Sequence, residues 1–285
     1  MQYYTKTTDE KLAYMQHKRS APHVVFLSGF KSDMTGSKAM AVDEYCAAQN
    51  LSYTRFDYRG HGSSDGEFLD GCISDWLDDT LDILNHVVCD PCIVIGSSMG
   101  GWLALLAALK RPEQIQALIG IAPAPDFTEK LMWEAFTKEQ QQALMQQGYV
   151  DLPNCYDDGE PYRITQKLIE DGRKNLLMSP CSVSPRTWDA ASQADGSLGL
   201  LTSPEQNDKS VDRRGDISKL NLPIRLLHGM ADVDVPWQTS NQIAQQVASE
   251  DVEVHFIKNA GHRMSDPAQL ELLTHTLSGL IQQSN

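Results

Sequence analysis

The sequence predicts an α/β fold: a mostly parallel, eight-stranded sheet flanked by helices, with an inserted, mainly helical lid. Three observations support this fold class. Short β-branched runs alternate with longer stretches of helical periodicity, two N-terminal runs have the pattern of edge strands, and the alternation stops between residues 126 and 216. Such alternation is typical of βαβ units, in which crossover helices cover both faces of a parallel sheet.

Six apolar runs predict the central strands, and helical periodicity predicts the segments between them. The predicted strands are 23–28, 52–57, 92–95, 117–121, 224–228 and 252–257. The predicted helices are 37–49, 74–88, 99–110, 238–249 and 267–282. Two further runs, 2–7 and 11–15, favour a hairpin of edge strands.

The break in the alternation predicts a division into core and lid. Residues 1–125 and 217–285 form the predicted core, and residues 126–216 form the predicted lid. Within the lid, residues 127–148 and 162–178 have helical patterns, whereas 181–214 are rich in Ser, Pro, Asp and Gly. A long polar stretch of this kind predicts a connector.

Composition and charge limit the possible partners. The 24 Lys and Arg against 38 Asp and Glu give a net charge of −14, which disfavours nucleic acid and anionic membranes. No run reaches the ~18 apolar residues of a membrane span. The first ten residues lack the apolar core of a secretory leader and carry acids that a transit peptide avoids, so we expect a cytoplasmic protein.

Two clusters of metal-binding residue types have simpler structural interpretations. Cys89 and Cys92 form a C-x-x-C, but no second pair follows to complete a zinc site, and the six cysteines do not form a disulfide framework. Four acids lie at i, i+3, i+4 and i+7 on the helix predicted over 74–88, opposite an apolar side, so we interpret them as its water-facing side: Asp75, Asp78, Asp79 and Asp82. We therefore expect no metal and no cofactor.

The strongest chemical motif is G-x-S-x-G at residues 96–100. The five residues alone are a weak signal, but they stand between a predicted strand and a predicted helix. Such a strand–turn–helix holds a serine in strained backbone geometry at a helix N-terminus, where free N–H groups favour a developing oxyanion. This context predicts Ser98 as a nucleophile.

A serine nucleophile needs a base, and the base needs an acid that orients it. Of eight histidines, His262 lies in a loop directly after the last predicted strand, where it could reach Ser98. Asp232 and Asp234 both follow the preceding strand. Asp232 is nearer the strand end and is the better orienting acid, whereas Asp234 precedes a helical pattern and is better placed to cap it. Both acids stay open at this point, with Asp232 preferred.

The remaining candidate site residues are predicted from their positions relative to the predicted strands and helices. The backbone N–H groups of Met99 and Phe30 are the candidate oxyanion donors, since Gly29 permits a sharp turn after the first central strand. Trp133 and Phe136 share one side of their predicted helix with Met132, and with Trp237 they are candidate substrate-pocket residues. Packing against the core is the alternative interpretation of the same stripe.

These motifs resemble the α/β-hydrolase superfamily, in order and over nearly the whole chain. They are S-G-F, D-Y-R-G-H-G-S-S, G-S-S-M-G-G, H-G-M-A-D-V-D-V-P and G-H. Longer stretches, among them R-F-D-Y-R-G-H-G-S-S-D-G and R-P-E-Q-I-Q-A-L-I-G-I-A, resemble a mitochondrial family of acyl-protein thioesterases and acyl-glucuronide esterases. The chain departs from that family at 181–214, and we expect it to lack the family's targeting leader. The resemblance implies a serine carboxylester or thioester hydrolase with Ser98, Asp232 and His262 as its triad.

The predicted function is therefore acyl transfer to water through a Ser98 acyl-enzyme. The substrate would be a small-molecule ester or thioester, or an acylated protein. Two alternatives use the same fold: a carbon–carbon bond hydrolase or cofactor-free haloperoxidase with the same triad, and a non-catalytic relative that binds a ligand in the pocket. The acyl group, the leaving group and the oligomeric state stay open.

Overall fold

A computed structural model describes residues 1–152, 162–178 and 215–283. Eight strands form the main sheet, in the order β1-β2-β4-β3-β5-β6-β9-β10, and β7 pairs with β8 separately. The strands are β1 Gln2–Thr5, β2 Lys11–His17, β3 Ser20–Leu27, β4 Leu51–Phe56, β5 Cys92–Ser97, β6 Ile115–Ile121, β7 Tyr149–Leu152, β8 Tyr162–Thr165, β9 Ile224–Gly229 and β10 Val252–Ile257. The β1–β2 and β2–β4 pairings are antiparallel and the other pairings of the main sheet are parallel, so β2 alone runs against the other seven strands, which confirms the predicted fold class.

Helices cover both faces of this sheet. They are α1 Ser37–Ala48, α2 Ile73–Asp82, α3 Met99–Lys110, α4 Lys138–Gln147, α5 Gln166–Lys174, α6 Gln238–Gln246 and α7 Pro267–Gln283. Alternate residues of a strand enter different cores: Val25 and Leu27 pack with α2 and α3, whereas Val24 and Phe26 pack with α1 and α7. Because both faces are buried, the central strands are continuous apolar runs. No helix among the described residues is long and apolar enough to cross a membrane.

The segment after β6 differs from the prediction. The helix expected over 127–148 is divided into a π-helical turn Thr128–Met132, a 3-10 turn Trp133–Ala135 and α4. The physical reason is Thr137, whose hydroxyl accepts from the Gln140 N–H while the Gln140 side chain accepts from the Thr137 N–H. This capping box starts a new helix and requires extended backbone at Thr137.

The helix expected over 162–178 is also shorter than predicted. Its first four residues form β8, which pairs antiparallel with β7. Thr165 then caps α5 by accepting a hydrogen bond from the Leu168 N–H, and its extended backbone ends the strand where the helix begins. The described part of the predicted lid thus contains a two-stranded sheet as well as helices.

The described part of the predicted lid is tied to the sheet domain. The Asp126 carboxylate accepts from the N–H groups of Leu177 and Met178, at 2.8 Å each. Asp171 accepts from the Ser74 N–H of α2 at 2.7 Å. Residues 126–152 and 162–178 belong to the same compact unit as the sheet. The predicted connector at 181–214 lies outside the described residues.

The expectation that four acids of α2 face water is wrong for Asp79. Its side chain is fully buried and accepts from Lys6 Nζ at 2.6 Å and from Arg59 Nη2 at 2.7 Å. Two cations therefore neutralise a carboxylate that burial alone would make costly. The helical periodicity placed Asp79 correctly on its side of α2, but Lys6 and Arg59 come from distant segments and cover it.

Candidate active site

The site is built around a sharp turn between β5 and α3. Ser98 occupies this turn with φ 55° and ψ −118°, a backbone geometry that few L-residues adopt. A Cβ on Gly96 would lie 2.3 Å from the Gly100 carbonyl oxygen, and one on Gly100 would lie 2.2 Å from the Leu27 carbonyl oxygen. Both glycines of the motif are therefore required by close backbone approach.

Hydrogen bonds hold Ser98 in this geometry. Its N–H donates to the Ile121 carbonyl at 2.9 Å, and its carbonyl accepts from the N–H groups of Gly101 and Ala124. Strained residues persist where their surroundings fix them in this way. The Ser98 hydroxyl is thus presented at the carboxyl end of the sheet.

The structure brings His262 and Asp232 to this hydroxyl. The Nε2 atom of His262 lies 3.0 Å from Ser98 Oγ, and its Nδ1 atom lies 2.7 Å from Asp232 Oδ2. A carboxylate can only accept, so Nδ1 carries the proton and Nε2 accepts from the serine hydroxyl. The three residues follow the ends of β5, β9 and β10, which explains how positions far apart in the sequence meet.

The side chain of Asp232 is buried and accepts hydrogen bonds from His262, Asp234 and Val235, and His228 Nε2 lies 3.3 Å from its Oδ2 atom. Its Oδ1 atom accepts from the N–H groups of Asp234 and Val235, at 2.9 Å each. Burial raises the pKa of this carboxyl, but hydrogen bonds from His228, His262 and Val235 outweigh it and hold the pKa well below its ordinary value. Asp232 is therefore ionised at neutral pH.

Asp234 lies outside the N-cap position of helix α6, where its place in the sequence suggested a cap. Helix α6 starts at Gln238, and the residue before it, Trp237, makes no side-chain cap. The N–H of Asp234 instead donates to Asp232. The turn that follows β9 therefore closes around Asp232, and Asp234 supplies backbone to it.

The two residues predicted as oxyanion donors, Met99 and Phe30, line the same cavity as Ser98. Met99 is the first residue of α3, where helical N–H groups have no acceptor within the helix. A Cβ on Gly29 would lie 3.4 Å from Ser98 Cβ. The loop after β3 that contains Gly29 and Phe30, called the Phe30 loop below, therefore closely approaches the turn between β5 and α3. The Phe30 ring makes edge contacts with Phe68 and Phe127 at 4.9 and 5.6 Å, which anchor this loop.

A cavity of about 670 Å³ opens onto Ser98 and His262. Its walls are formed by the turn between β5 and α3, by the Phe30 loop and by the segment after β6. The segment after β6 and strands β7 and β8 contribute apolar residues to these walls, among them Phe127, Leu131, Met132, Leu152, Tyr162 and Ile164. Lys31, Lys38 and Arg263 also line it. Burial and the nearby Arg263 lower the pKa of Lys38 to about 8.

The three predicted pocket residues do not line this cavity. Trp133 lies under the Arg173 guanidinium, 4.5 Å from it, Phe136 is buried in the core, and Trp237 packs edge-on against Phe256. The prediction assumed one continuous helix, and the turns before Thr137 rotate Trp133 and Phe136 away. Phe127 and Leu131, spaced i and i+4, were the signal that sequence reasoning missed.

One group of side chains has the donors of a cation site. Ligand atoms of Asp232, Asp234 and His262 lie within 4.8 Å of one another. However, both ring nitrogens of His262 already face protein partners, Asp232 and Ser98. A metal bound to His262 would displace one of these hydrogen bonds, so the arrangement suits proton transfer better than metal binding.

An eight-stranded sheet of this order, with serine, histidine and aspartate joined at the carboxyl ends of its strands, defines an α/β hydrolase of the serine type. Residues 18–196 match the family model described as Hydrolase_4, Serine aminopeptidase, S33. The mouse "Palmitoyl-protein thioesterase ABHD10, mitochondrial" is 36% identical over 273 residues, which cover 95% of this chain and 79% of that protein. The human protein of the same name is 35% identical, with 95% and 77% covered. The chain therefore belongs to the α/β-hydrolase family that contains these proteins.

Solved structures agree with this assignment. Mouse "Alpha/beta hydrolase domain-containing protein 10" superposes with a TM-score of 0.80 at 34% identity, covering 100% of this chain and 99% of that one. A putative hydrolase from Agrobacterium vitis S4 also has a TM-score of 0.80, at 29% identity, with 98% and 96% covered. The family and its members support a serine hydrolase of esters or thioesters.

The comparisons correct one expectation. The cytoplasmic location predicted from the sequence is contradicted, because the mouse, bovine and human relatives are all named as mitochondrial proteins. The prediction used the composition of the first ten residues, which is a weaker guide than these relatives.

Proposed function

We propose that this chain hydrolyses carboxylic esters and thioesters, with Ser98 as the nucleophile, His262 as the base and Asp232 as the orienting acid. The observation that carries the proposal is the continuous hydrogen-bonded chain, 3.0 Å from serine to imidazole and 2.7 Å from imidazole to carboxylate. Both distances are within the reach that proton transfer requires.

The reaction proceeds in two acyl-transfer steps. His262 Nε2 takes the hydroxyl proton while Ser98 Oγ attacks the carbonyl carbon, which gives a tetrahedral oxyanion. Its collapse breaks the bond to the alcohol or thiol, which leaves with the proton from His262. Water then attacks the acyl-enzyme in the same manner and releases the acid. Asp232 stabilises the imidazolium formed in each step.

The N–H groups of Phe30 and Met99 are the proposed oxyanion donors. Both residues line the cavity beside Ser98. Preorganised donors of this kind stabilise charge only as it develops, and the loss of one typically lowers turnover ~10²-fold or more. Met99 is fixed by α3, whereas Phe30 depends on the packing of its own ring.

The substrate class follows from the cavity wall and the relatives. We infer that the predicted lid, 126–216, contributes the acyl-binding wall, since Phe127, Leu131 and Met132 line the cavity. An apolar wall favours a medium or long acyl chain. The mouse and human relatives are named palmitoyl-protein thioesterases, so we propose acyl thioesters, including acylated proteins, as the preferred substrates.

The test is a chain-length series of p-nitrophenyl esters and acyl thioesters, assayed with the wild type and Ser98→Ala. We expect turnover to rise with acyl length and to fall by several orders of magnitude in the variant. Ser97→Ala is the matched control, since Ser97 is the neighbouring hydroxyl at the end of β5. An aminoacyl p-nitroanilide is the amide substrate control, because the matching family is described by an aminopeptidase. Undiminished ester turnover in Ser98→Ala would refute the proposal.

A further inference from the structure

A second imidazole contacts the carboxylate of Asp232. His228 lies at the end of β9 and is fully buried. Its Nε2 atom lies 3.3 Å from Asp232 Oδ2 and 3.0 Å from the Val235 carbonyl oxygen. Its Nδ1 atom lies 2.7 Å from the hydroxyl of Ser240, which is buried in α6. The mechanism above gives neither His228 nor Ser240 a role.

The partners of His228 determine where its proton lies. A carbonyl and a carboxylate can only accept, so Nε2 must carry a hydrogen. In the neutral ring, Nδ1 then accepts from the Ser240 hydroxyl. A hydrogen bond accepted at one ring nitrogen strengthens donation from the other, because hydrogen bonds in a chain polarise one another. The chain runs from Ser240 through His228 to the Val235 carbonyl, and the same Nε2–H group lies 3.3 Å from Asp232 Oδ2.

This arrangement completes the coordination of the carboxylate. Asp232 Oδ2 faces the N–H groups of both His228 and His262, and Oδ1 accepts from the N–H groups of Asp234 and Val235. An ionised carboxylate offers about four acceptor positions. His262, Asp234 and Val235 donate to three of them, and the Nε2–H of His228, which donates to the Val235 carbonyl, lies beside the fourth, 3.3 Å from Oδ2. The three hydrogen bonds fix the orientation of the carboxylate, and His228 adds a further N–H group close to its charge.

We propose that His228, held by Ser240, is a positioning residue for this site: it fixes Oδ2 of Asp232 and limits the negative charge that reaches His262. This inference rests on the proposed roles of Asp232, His262 and Ser98.

The groups around His228 determine in which direction the pH profile of kcat/KM moves when the His228 N–H group is removed. Asp232 faces it from the turn after β9, Ser240 faces it from α6, and β10 places Phe256 beside it in register. The titratable groups that share the network are Asp232 and His262, with Asp234 in the same turn. Without the His228 N–H, Oδ2 presents more charge to His262 and stabilises its protonated form. The acidic limb of kcat/KM then moves to higher pH.

The test is the pH profile of kcat/KM for a p-nitrophenyl ester with His228→Leu and His228→Gln. Leucine has similar bulk but no donor, whereas the glutamine amide can place an N–H near the position of Nε2. We expect kcat of His228→Leu to fall about tenfold to a hundredfold, the range for one hydrogen bond to a charged group. Its acidic limb should move up by about half a pH unit, and glutamine should restore the wild-type limb.

Two further variants distinguish the expected change in the pH profile from the consequences of misfolding. Ser240→Ala leaves the imidazole in place and weakens its donation, so the limb should move in the same direction by a smaller amount. His255→Leu, on the exposed side of β10, is the matched histidine control and should leave the profile unchanged. Thermal unfolding of each variant shows whether it is folded at the assay temperature.

The outcomes separate this inference from the proposed function. If Ser98→Ala abolishes turnover but His228→Leu keeps the wild-type limb, His228 is structural and the inference fails alone. A loss of kcat in both His228 variants and in Ser240→Ala, with no movement of the limb, would also overturn it. If Ser98→Ala retains turnover, the proposed function itself has failed.

Discussion

Ser98 illustrates how single residues determine this site. Its positive φ holds the hydroxyl above the sheet, and the backbone of Gly96 and Gly100 packs too closely for any side chain. The strained serine and its unsubstituted neighbours form one unit, because relaxing either would move Oγ away from His262 Nε2. Strain at a catalytic position is thus supported by ordinary packing elsewhere.

Gly100 gives a direct test of this packing. Its Cβ would lie 2.2 Å from the Leu27 carbonyl oxygen, which is rigid strand backbone. We expect Gly100→Ala to lower the free energy of unfolding by about 2 kcal/mol or more and to reduce turnover. The control is Gly279→Ala in α7, where an added Cβ would meet no heavy atom within 4 Å apart from the backbone of its own helix. Alanine there should raise the free energy of unfolding by about 0.5–1 kcal/mol in urea titrations. Equal effects at the two positions would contradict the packing account.

Sequence alone indicated Ser98, Asp232 and His262, because each has a local signal: a motif between a strand and a helix, or a loop directly after a strand. It could not indicate His228 as a partner of Asp232. A histidine at a strand end has no local feature that reveals a carboxylate four residues later folding back onto it. Contacts of this kind depend on the turn geometry after β9.

Helix α2 shows how an element is positioned by charge as well as by apolar packing. Its apolar side buries Trp76 and Leu77, and its other side includes the buried Asp79. Lys6 from the β1–β2 turn and Arg59 from the loop after β4 both bind this carboxylate. One acid therefore ties α2 to the edge hairpin and to the glycine-rich loop that carries His61.

Asp79→Asn tests this contribution. The amide keeps the shape but removes the buried charge that Lys6 and Arg59 share, and leaves them the outer carboxylates of Asp82 and Asp75. We expect the free energy of unfolding to fall by about 3 kcal/mol. Asp78→Asn is the matched control, since Asp78 is exposed on the same helix, and it should change stability by less than about 0.5 kcal/mol. Chemical denaturation of both variants measures the difference. Similar small effects for both would mean that the buried pair contributes little.

At the element scale, the alternation of strands and helices was predictable because apolar periodicity is local. The described part of the predicted lid was less predictable. Thr137 and Thr165 each begin a helix within a stretch of helical composition. Strands β7 and β8 have only four residues each, which is too short for their alternation to stand out from the helical pattern around them. The turns before Thr137 interrupt the expected helix, which is why Trp133 and Phe136 were misplaced.

The whole molecule carries 14 excess negative charges yet buries several titratable groups. His23 of β3 is one of them: it is 2% exposed, and its Nε2 lies 2.8 Å from the Thr54 hydroxyl. Burial lowers the pKa of His23 from 6.5 to about 4. Thr54 also accepts from Gln16 Nε2, so its hydroxyl hydrogen is available to a neutral imidazole.

This burial predicts how stability depends on pH. The folded-state pKa is depressed, so between about pH 6.5 and 4 the unfolded chain binds a proton that the folded chain does not. Stability from this group is complete above pH 6.5 and declines toward pH 4, by about 3 kcal/mol in total. His23→Gln should flatten the pH dependence in this window by that amount. His275→Gln, exposed on α7, should leave the dependence as in the wild type; an unchanged slope in His23→Gln would contradict the assignment.

The most direct measurement of the central claim is the mass of the protein after reaction with a fluorophosphonate, followed by peptide mapping. A serine activated by His262 and Asp232 should give one adduct, on the peptide that contains Ser98. The adduct should form much more slowly in His262→Ala and be absent in Ser98→Ala. Labelling at another serine, or labelling that persists in Ser98→Ala, would contradict the account.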